Sequence, residues 1–248
     1  MKNVINFFLI GIIQGLTEFL PVSSSGHIVL FGSLFELDNL MLLSVVAHIG
    51  TLFAVIYCYR QRLKELIKKP FCETNIKLVI ATIPTVIIVL LFNGFIEDNF
   101  KTSTLVWGFL ISAVLLFIAD MKKNTVKPLS KKSALYIGIS QGLAILPGFS
   151  RSGTTLACGL IAGVEKKQAL DFSFLMSIPI IIASAVFEGV KLFTAQITVN
   201  WLGIFIVMVT SFIFGIISIK LMLKIVKSNN LFYFSFYLII LSLILLFI

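Results

Sequence analysis

A chain of 248 residues that is 58% hydrophobic and only 12% charged lies far from the composition of a water-soluble domain, where about a quarter of the residues carry charge, and is a polytopic membrane protein. Its net charge of +9 does not point to nucleic acid, because the lysines and arginines gather between apolar runs instead of lining one face. The 24 phenylalanines read as lipid-facing and interhelical packing, not as a base-stacking platform.

About 20 apolar residues span a bilayer as a helix, and six such spans are predicted at 39–59, 76–95, 102–121, 168–189, 200–222 and 231–248. Ahead of them, residues 4–20 run up to Pro21 and a serine cluster. This run has no basic n-region or small-residue cleavage site and contains Glu18, so it is kept in the mature protein and not read as a signal peptide. Arg60, Arg62, Lys64, Lys68 and Lys69 follow the first span, and Lys122, Lys123, Lys127, Lys131 and Lys132 follow the third. Lys166 and Lys167, then Lys220, Lys224 and Lys227, mark two further turns. The positive-inside rule makes these segments cytoplasmic, with attraction to anionic lipid head groups as a secondary effect. Glu36 and Asp38 then fall on the outer side. Cys58, Cys72 and Cys158 lack paired spacing, which argues against a disulfide framework and a thiolate metal site.

Residues 10–26, IGIIQGLTEFLPVSSSG, recur 127 positions later as residues 137–153, IGISQGLAILPGFSRSG. Nine of the seventeen positions are identical, including every Gly, the Gln and two of three consecutive serines, so chance matching of apolar residues does not explain them. The same offset lays 39–59 on 168–189, 76–95 on 200–222 and 102–121 on 231–248. Two repeats are therefore predicted within one membrane domain, 1–121 and 128–248. Each is a re-entrant helical hairpin followed by three transmembrane helices. The basic clusters have the first hairpin entering from the outer face and the second from the inner. With three crossings per half, the second copy is inverted, as in transporter folds. Irregular backbone at membrane depth must be satisfied by protein or a wet cavity, so the two hairpin turns are expected to meet near the midplane and to form the site there.

Gln14 and Glu18 are four residues apart and share a helix face. An ionised carboxylate inside a membrane segment costs about 2.5–3.5 kcal/mol on insertion scales, so it faces a cavity, a cation or a partner. For Glu18 the alternatives are a helix-end acid reaching interfacial water and a metal ligand or proton acceptor oriented by Gln14. Next comes Pro21-Val-Ser-Ser-Ser-Gly-His27. Helix N-capping accounts for one of Ser23, Ser24 and Ser25, not for all three plus a histidine. A helix N-terminus suits phosphate, and a hydroxyl there with His27 a turn away has the parts of an activated nucleophile or proton shuttle. In the second copy, Pro147-Gly-Phe-Ser-Arg-Ser-Gly-Thr-Thr155, Arg151 stands at the position of Ser24 and Thr154 at that of His27. Arginine's planar fork suits phosphate oxygens; Glu18 is the alternative partner, in a structural ion pair, and the two readings are compatible. His48 either lines the cavity or is a hydrogen-bonded core histidine. Asp171 and Glu188 near span ends read as interfacial acids, and Asp120 beside a basic loop as a topology-neutral surface acid. Walker A, paired-cysteine and His-Glu-x-x-His patterns are missing from the sequence.

Gln14-x-x-x-Glu18 with Pro-Val-Ser-Ser-Ser-Gly-His, and Pro-Gly-Phe-Ser-Arg-Ser-Gly-Thr-Thr, resemble the signatures of the undecaprenyl pyrophosphate phosphatases, also called bacitracin resistance proteins, over essentially the whole chain. The resemblance implies a multi-pass enzyme of the bacterial plasma membrane that removes the terminal phosphate from a C55 polyprenyl pyrophosphate, its site facing outward. It also implies a divalent cation, Mg²⁺ or Ca²⁺. Where that family admits Glu or Gln at its first acidic position this chain has Gln14, leaving Glu18 as the main metal candidate. On this resemblance Ser24 attacks the terminal phosphorus, His27 handles its proton or the leaving group's, Glu18 holds the cation or orients His27, and Arg151 neutralises phosphate oxygens. Gln14, Ser23, Ser25, Ser150, Ser152 and Thr155 form the expected substrate-binding set. The partners expected are the lipid substrate and membrane lipids, with no nucleic acid and a homodimer left open. A prenyl phosphate transporter or flippase on the same inverted repeat is the main alternative, but it does not require Glu, Ser and His in one hairpin. A lipid phosphate phosphatase with a histidine nucleophile needs a second His after the Ser-Arg pair, and no His follows His48.

Overall fold

Lipid offers no partner to backbone N–H and C=O groups, so long apolar runs fold as helices that satisfy their own backbone. The computed structural model describes residues 2–35, 40–98, 102–122, 126–146, 148–194, 200–228 and 230–247. In chain order the helices are α1 Lys2–Phe19, α2 Ser24–Leu34, α3 Leu40–Cys58, α4 Arg60–Lys68, α5 Glu73–Asp98, α6 Thr102–Met121, α7 Lys131–Leu143, α8 Arg151–Ile161, α9 Lys166–Thr194, α10 Trp201–Ile225 and α11 Phe232–Leu246. No strand occurs among the described residues beyond an isolated bridge between Lys127 and Val164. Glu36, Asp38, Lys123 and Pro147 lie outside the described residues.

Four helices are long and apolar enough to cross a membrane among the described residues, over Glu73–Phe92, Thr104–Met121, Lys166–Phe187 and Trp201–Ser228, and α3 with α4 forms a bent fifth. The protein is an all-helical, multi-pass membrane protein. Two apolar helices are shorter, Val4–Phe19 and Phe232–Leu246; the latter covers the last span predicted over 231–248. The basic segment after α3, expected as a loop, is instead the helix α4, bent 76° away from α3. Its sequence explains this: Leu66 is buried, while Arg62 and Glu65 pair on the exposed side at 3.0 Å. A short helix that is charged on one face and apolar on the other suits the membrane interface.

Glycines set the closest helix crossings. On α1, a Cβ at Gly11 or Gly15 would crowd the backbone of α10 at Val207 and Ser211. On α7, a Cβ at Gly138 would overlap the Ala81 carbonyl of α5, and one at Gly142 would press on Ile88. Small residues are what allow membrane helices to approach this far. Thr85 uses the proximity, donating its hydroxyl to the Ala81 carbonyl at 3.0 Å and the Gly138 carbonyl at 2.8 Å. The Gly138→Ala variant is expected to lose about 1–3 kcal/mol through overpacking against backbone. Thermal unfolding in detergent checks this, and an unchanged midpoint would show that α5 and α7 separate without cost.

The main core gathers Phe19 of α1, Leu105 and Phe109 of α6, Ile137 of α7, Leu156 of α8, Phe174 of α9, Ile219 of α10 and Leu238 of α11. Helices from both halves of the chain thus enclose the two helix breaks at 20–23 and 144–150.

Candidate active site

The first break follows from local sequence. Pro21 disfavours helical backbone at the residue before it, and α1 ends at Phe19. Ser23 sits at φ 69°, a left-handed conformation uncommon for residues with a Cβ. Its carbonyl accepts the backbone N–H of His27 at 3.2 Å and His27 Nδ1 at 2.8 Å. Its hydroxyl accepts the Gly26 N–H at 3.3 Å and lies 3.5 Å from that of Ser25. Gly26 has no room for a side chain, since a Cβ there would run into the Phe109 ring. The helix α2 therefore starts at Ser24 with its free N–H groups at the turn.

The second break is built by different means. Gly148 has φ 85°, and a Cβ would strike the backbone of Leu105. Ser150 caps α8, accepting the Gly153 N–H at 3.1 Å while its own N–H donates to Ser112 at 2.9 Å. Thr155 ties α8 down, donating to the Arg151 carbonyl at 2.9 Å and sharing a 2.6 Å hydrogen bond with Ser173 of α9.

The two turns touch. Ser152 donates to the Leu20 carbonyl at 3.0 Å, and Ser218 of α10 donates to the Leu16 carbonyl at 2.7 Å. These hydroxyls add to the backbone bonds that the same carbonyls accept at the end of α1, from the Val22 N–H at Leu20 and, at a long 3.4 Å, from the Leu20 N–H at Leu16. The Arg151 guanidinium donates through Nη2 to Glu18 Oε1. Glu18 is 4% exposed, and its other oxygen, Oε2, accepts from Ser24 Oγ at 2.6 Å and Gln14 Nε2 at 2.8 Å. His48 on α3 brings Nε2 to 3.6 Å from Oε2, its ring oriented by an Nδ1–H bond of 2.7 Å to the Ser44 carbonyl. Arg151 Nη1 is buried with no hydrogen-bond partner among the described residues. Arg151 is the first residue of α8 and is joined through Glu18 to Ser24, the first of α2; a guanidinium nitrogen without a partner and the free N–H groups of a helix start are donors of the kind that suit an oxyanion.

Of the residues singled out in the sequence, Gln14, Glu18, Ser24 and Arg151 form one hydrogen-bonded group. Ser23 and Ser25 lie in the first turn, and Ser150, Ser152 and Thr155 in the second, where their hydroxyls bond to protein groups. His27 is buried, but both ring nitrogens are engaged away from Ser24: Nδ1 with the Ser23 carbonyl and Nε2 with the Tyr237 hydroxyl at 2.7 Å. Sequence reasoning did not single out Tyr237, which stands in an aromatic run with nothing to mark it. His48 carried a signal as one of two histidines, and the structure brings it to Glu18. Asp171, read as an interfacial acid, accepts a hydrogen bond from Tyr59 at 2.7 Å.

The residues fit a divalent cation to a limited extent. No group of three or more His, Cys, Asp or Glu side chains that could together hold a metal ion occurs among the described residues. The Gln14 amide must turn its nitrogen to Glu18, and its Oε1 is then buried with no partner among the described residues. An amide oxygen and one carboxylate are acceptable protein ligands for a hard cation whose remaining ligands come from phosphate and water.

Fold and site together define a multi-pass membrane protein in which a serine hydroxyl at a helix break is bonded to a buried carboxylate. The chain belongs to the bacitracin resistance protein BacA family, whose model matches residues 7–244. It is 39% identical over 241 residues to undecaprenyl-diphosphatase 3 of Bacillus cereus, covering 95% of this chain and 93% of that protein. It is also 39% identical over 245 residues to the undecaprenyl-diphosphatase of Carboxydothermus hydrogenoformans, with the same coverage of 95% and 93%. Identity to the undecaprenyl-diphosphatase of Thermosipho africanus is 37% over 248 residues, 96% of this chain and 98% of the other.

Proposed function

We propose that this protein hydrolyses undecaprenyl diphosphate to undecaprenyl phosphate and inorganic phosphate, in the bacterial plasma membrane, returning the carrier lipid to cell-wall synthesis. The family and the names of its relatives support the substrate. The observation that carries the chemistry is the 2.6 Å bond from Ser24 Oγ to Glu18 Oε2, beside an arginine nitrogen with no partner among the described residues.

In this reading the diphosphate enters over the N-termini of α2 and α8, and Arg151 turns its fork onto the terminal phosphate. Ser24 Oγ attacks the terminal phosphorus while its proton passes to Glu18. The bond from phosphorus to the bridging oxygen breaks, and undecaprenyl phosphate leaves. Water then attacks the phosphoserine and releases inorganic phosphate, the Ser24 oxygen recovering a proton from Glu18. Catalysis rests on positioning and on charge stabilisation of the transferred group. The sequence suggested His27 as the handler of the Ser24 proton; the hydrogen bonding supports Glu18 for that step and leaves His27 to hold the turn. Glu18 and Gln14 would hold a divalent cation, which, when bound, supplies neutralisation of diphosphate charge.

The inverted repeat belongs to the same proposal. What supports it is the exchange of partners between halves: α1 packs on α10, and α7, the copy of α1, packs on α5, the copy of α10. The glycines at these crossings, Gly11 and Gly15 against Gly138 and Gly142, are the repeat positions themselves. An outward-facing site follows from the basic cytoplasmic segments, which have the first hairpin entering from outside.

The test is phosphate release by the detergent-solubilised protein from C55 and shorter prenyl diphosphates, with and without chelator. Release without any membrane gradient is expected, and falls on chelation. Absence of release, with gradient-dependent movement of prenyl phosphate in vesicles, would favour the transporter reading.

A further inference from the structure

The turn that presents Ser24 rests on a strained residue, and that residue is held from the far end of the chain. Ser23 adopts φ 69° with no glycine to make it easy. Its carbonyl is bound twice by His27, through the backbone N–H and through Nδ1. A carbonyl only accepts, so Nδ1 carries the imidazole proton and Nε2 is left as an acceptor. The Tyr237 hydroxyl donates to it at 2.7 Å, from 210 positions along the chain on α11.

The ring contacts serve the same end. The Tyr237 ring lies nearly parallel to that of His27, with centroids 5.8 Å apart and planes 12° from parallel, while Phe109 meets the imidazole edge-on at 6.1 Å. Along its length α2 packs chiefly against α1. Its link to α6 and α11 is made at its first turn, by Gly26 on Phe109 and His27 between Phe109 and Tyr237. In the second hairpin the position of His27 is taken by Thr154, whose hydroxyl has no partner among the described residues. Among the described residues the clamp occurs only in the hairpin that carries Ser24.

We propose that Tyr237 is a positioning residue for the reaction: by bonding His27 Nε2 it locks the imidazole onto the Ser23 carbonyl, and so fixes the left-handed turn from which Ser24 reaches Glu18. The kinetic arm of this proposal rests on Ser24 acting as the nucleophile; the structural arm does not.

Tyr237→Phe removes the hydroxyl and keeps the stacked ring. With turnover measured on the full-length chain in detergent, kcat falls about tenfold, the size of loss that slight misplacement of a reacting group produces. KM stays within about twofold, since the lipid's own contacts are untouched. The melting temperature is essentially that of the parent. Combined with His27→Ala, Tyr237→Phe adds no further loss, because the hydroxyl acts only through the imidazole. In ¹⁵N spectra of histidine-labelled protein, which has only two histidines, the His27 Nε2 resonance moves on Tyr237→Phe and that of His48 does not. Parental kcat in Tyr237→Phe, a rise in KM alone, or an additive loss in the His27→Ala background overturns the proposal, as does an unmoved His27 resonance. If the parent chain releases no phosphate, the reading of its function fails, and the nitrogen spectrum still decides whether the clamp exists.

Discussion

Ser24→Ala lowers phosphate release from undecaprenyl diphosphate by about a thousandfold or more, the scale on which loss of a nucleophile acts in enzymes with a covalent intermediate. Ser24 is the hydroxyl bonded to the buried carboxylate, at 2.6 Å, and it opens α2, a helix start whose free N–H groups suit a phosphate. The hydroxyls around it have other work: Ser23 accepts from the Gly26 N–H, Ser150 caps α8, and Ser152 closes on the Leu20 carbonyl. Stability should barely change, because Glu18 keeps Gln14 and Arg151 when the Ser24 hydroxyl is lost. The measurement is kcat together with thermal unfolding of the same preparation. A variant that retains near-parental turnover would remove Ser24 from the chemistry.

The second large effect is at Arg151, where two substitutions separate two roles. Arg151→Ala leaves Glu18, 4% exposed, without its cation; breaking a buried pair by removing one member costs about 3–5 kcal/mol. Loss of activity in that variant therefore includes loss of fold. Arg151→Lys keeps the charge and most of the stability, but an ammonium cannot hold Glu18 and a phosphate oxygen through the two arms of a planar fork. Its kcat falls about a hundredfold, comparable to removing one oxyanion donor elsewhere. Should Arg151→Lys turn over at more than a tenth of the parental rate, the arginine serves only to neutralise Glu18, and another group must bind the phosphate.

Much of this site is legible in the sequence for one physical reason. Charged and hydroxyl side chains are costly inside apolar runs, so Glu18, the three serines and Arg151 stand out, and the repeat puts Ser24 and Arg151 at matching positions. The spans are legible because length and hydropathy suffice to define them. What is hidden depends on direction. Whether His27 turns toward Ser24 or toward α11 is decided by the φ of Ser23 and by a tyrosine from the other half of the chain, and neither leaves a trace in residue spacing. Composition gives Tyr237 no distinction among Phe232, Tyr233, Phe234 and Phe236. The helix α4 is hidden for another reason: a basic cytoplasmic loop and a short interfacial helix draw on the same residues, and Leu66 alone distinguishes them.

In the proposed reaction the terminal phosphoryl group passes through Ser24. A single turnover of substrate carrying radiolabel in the terminal phosphate, quenched in acid at intervals and followed by peptide mapping, tests it most directly. Label is expected to rise and fall on Ser24 ahead of free phosphate. Label on any other side chain, or phosphate release with no labelled protein at any time, would contradict it.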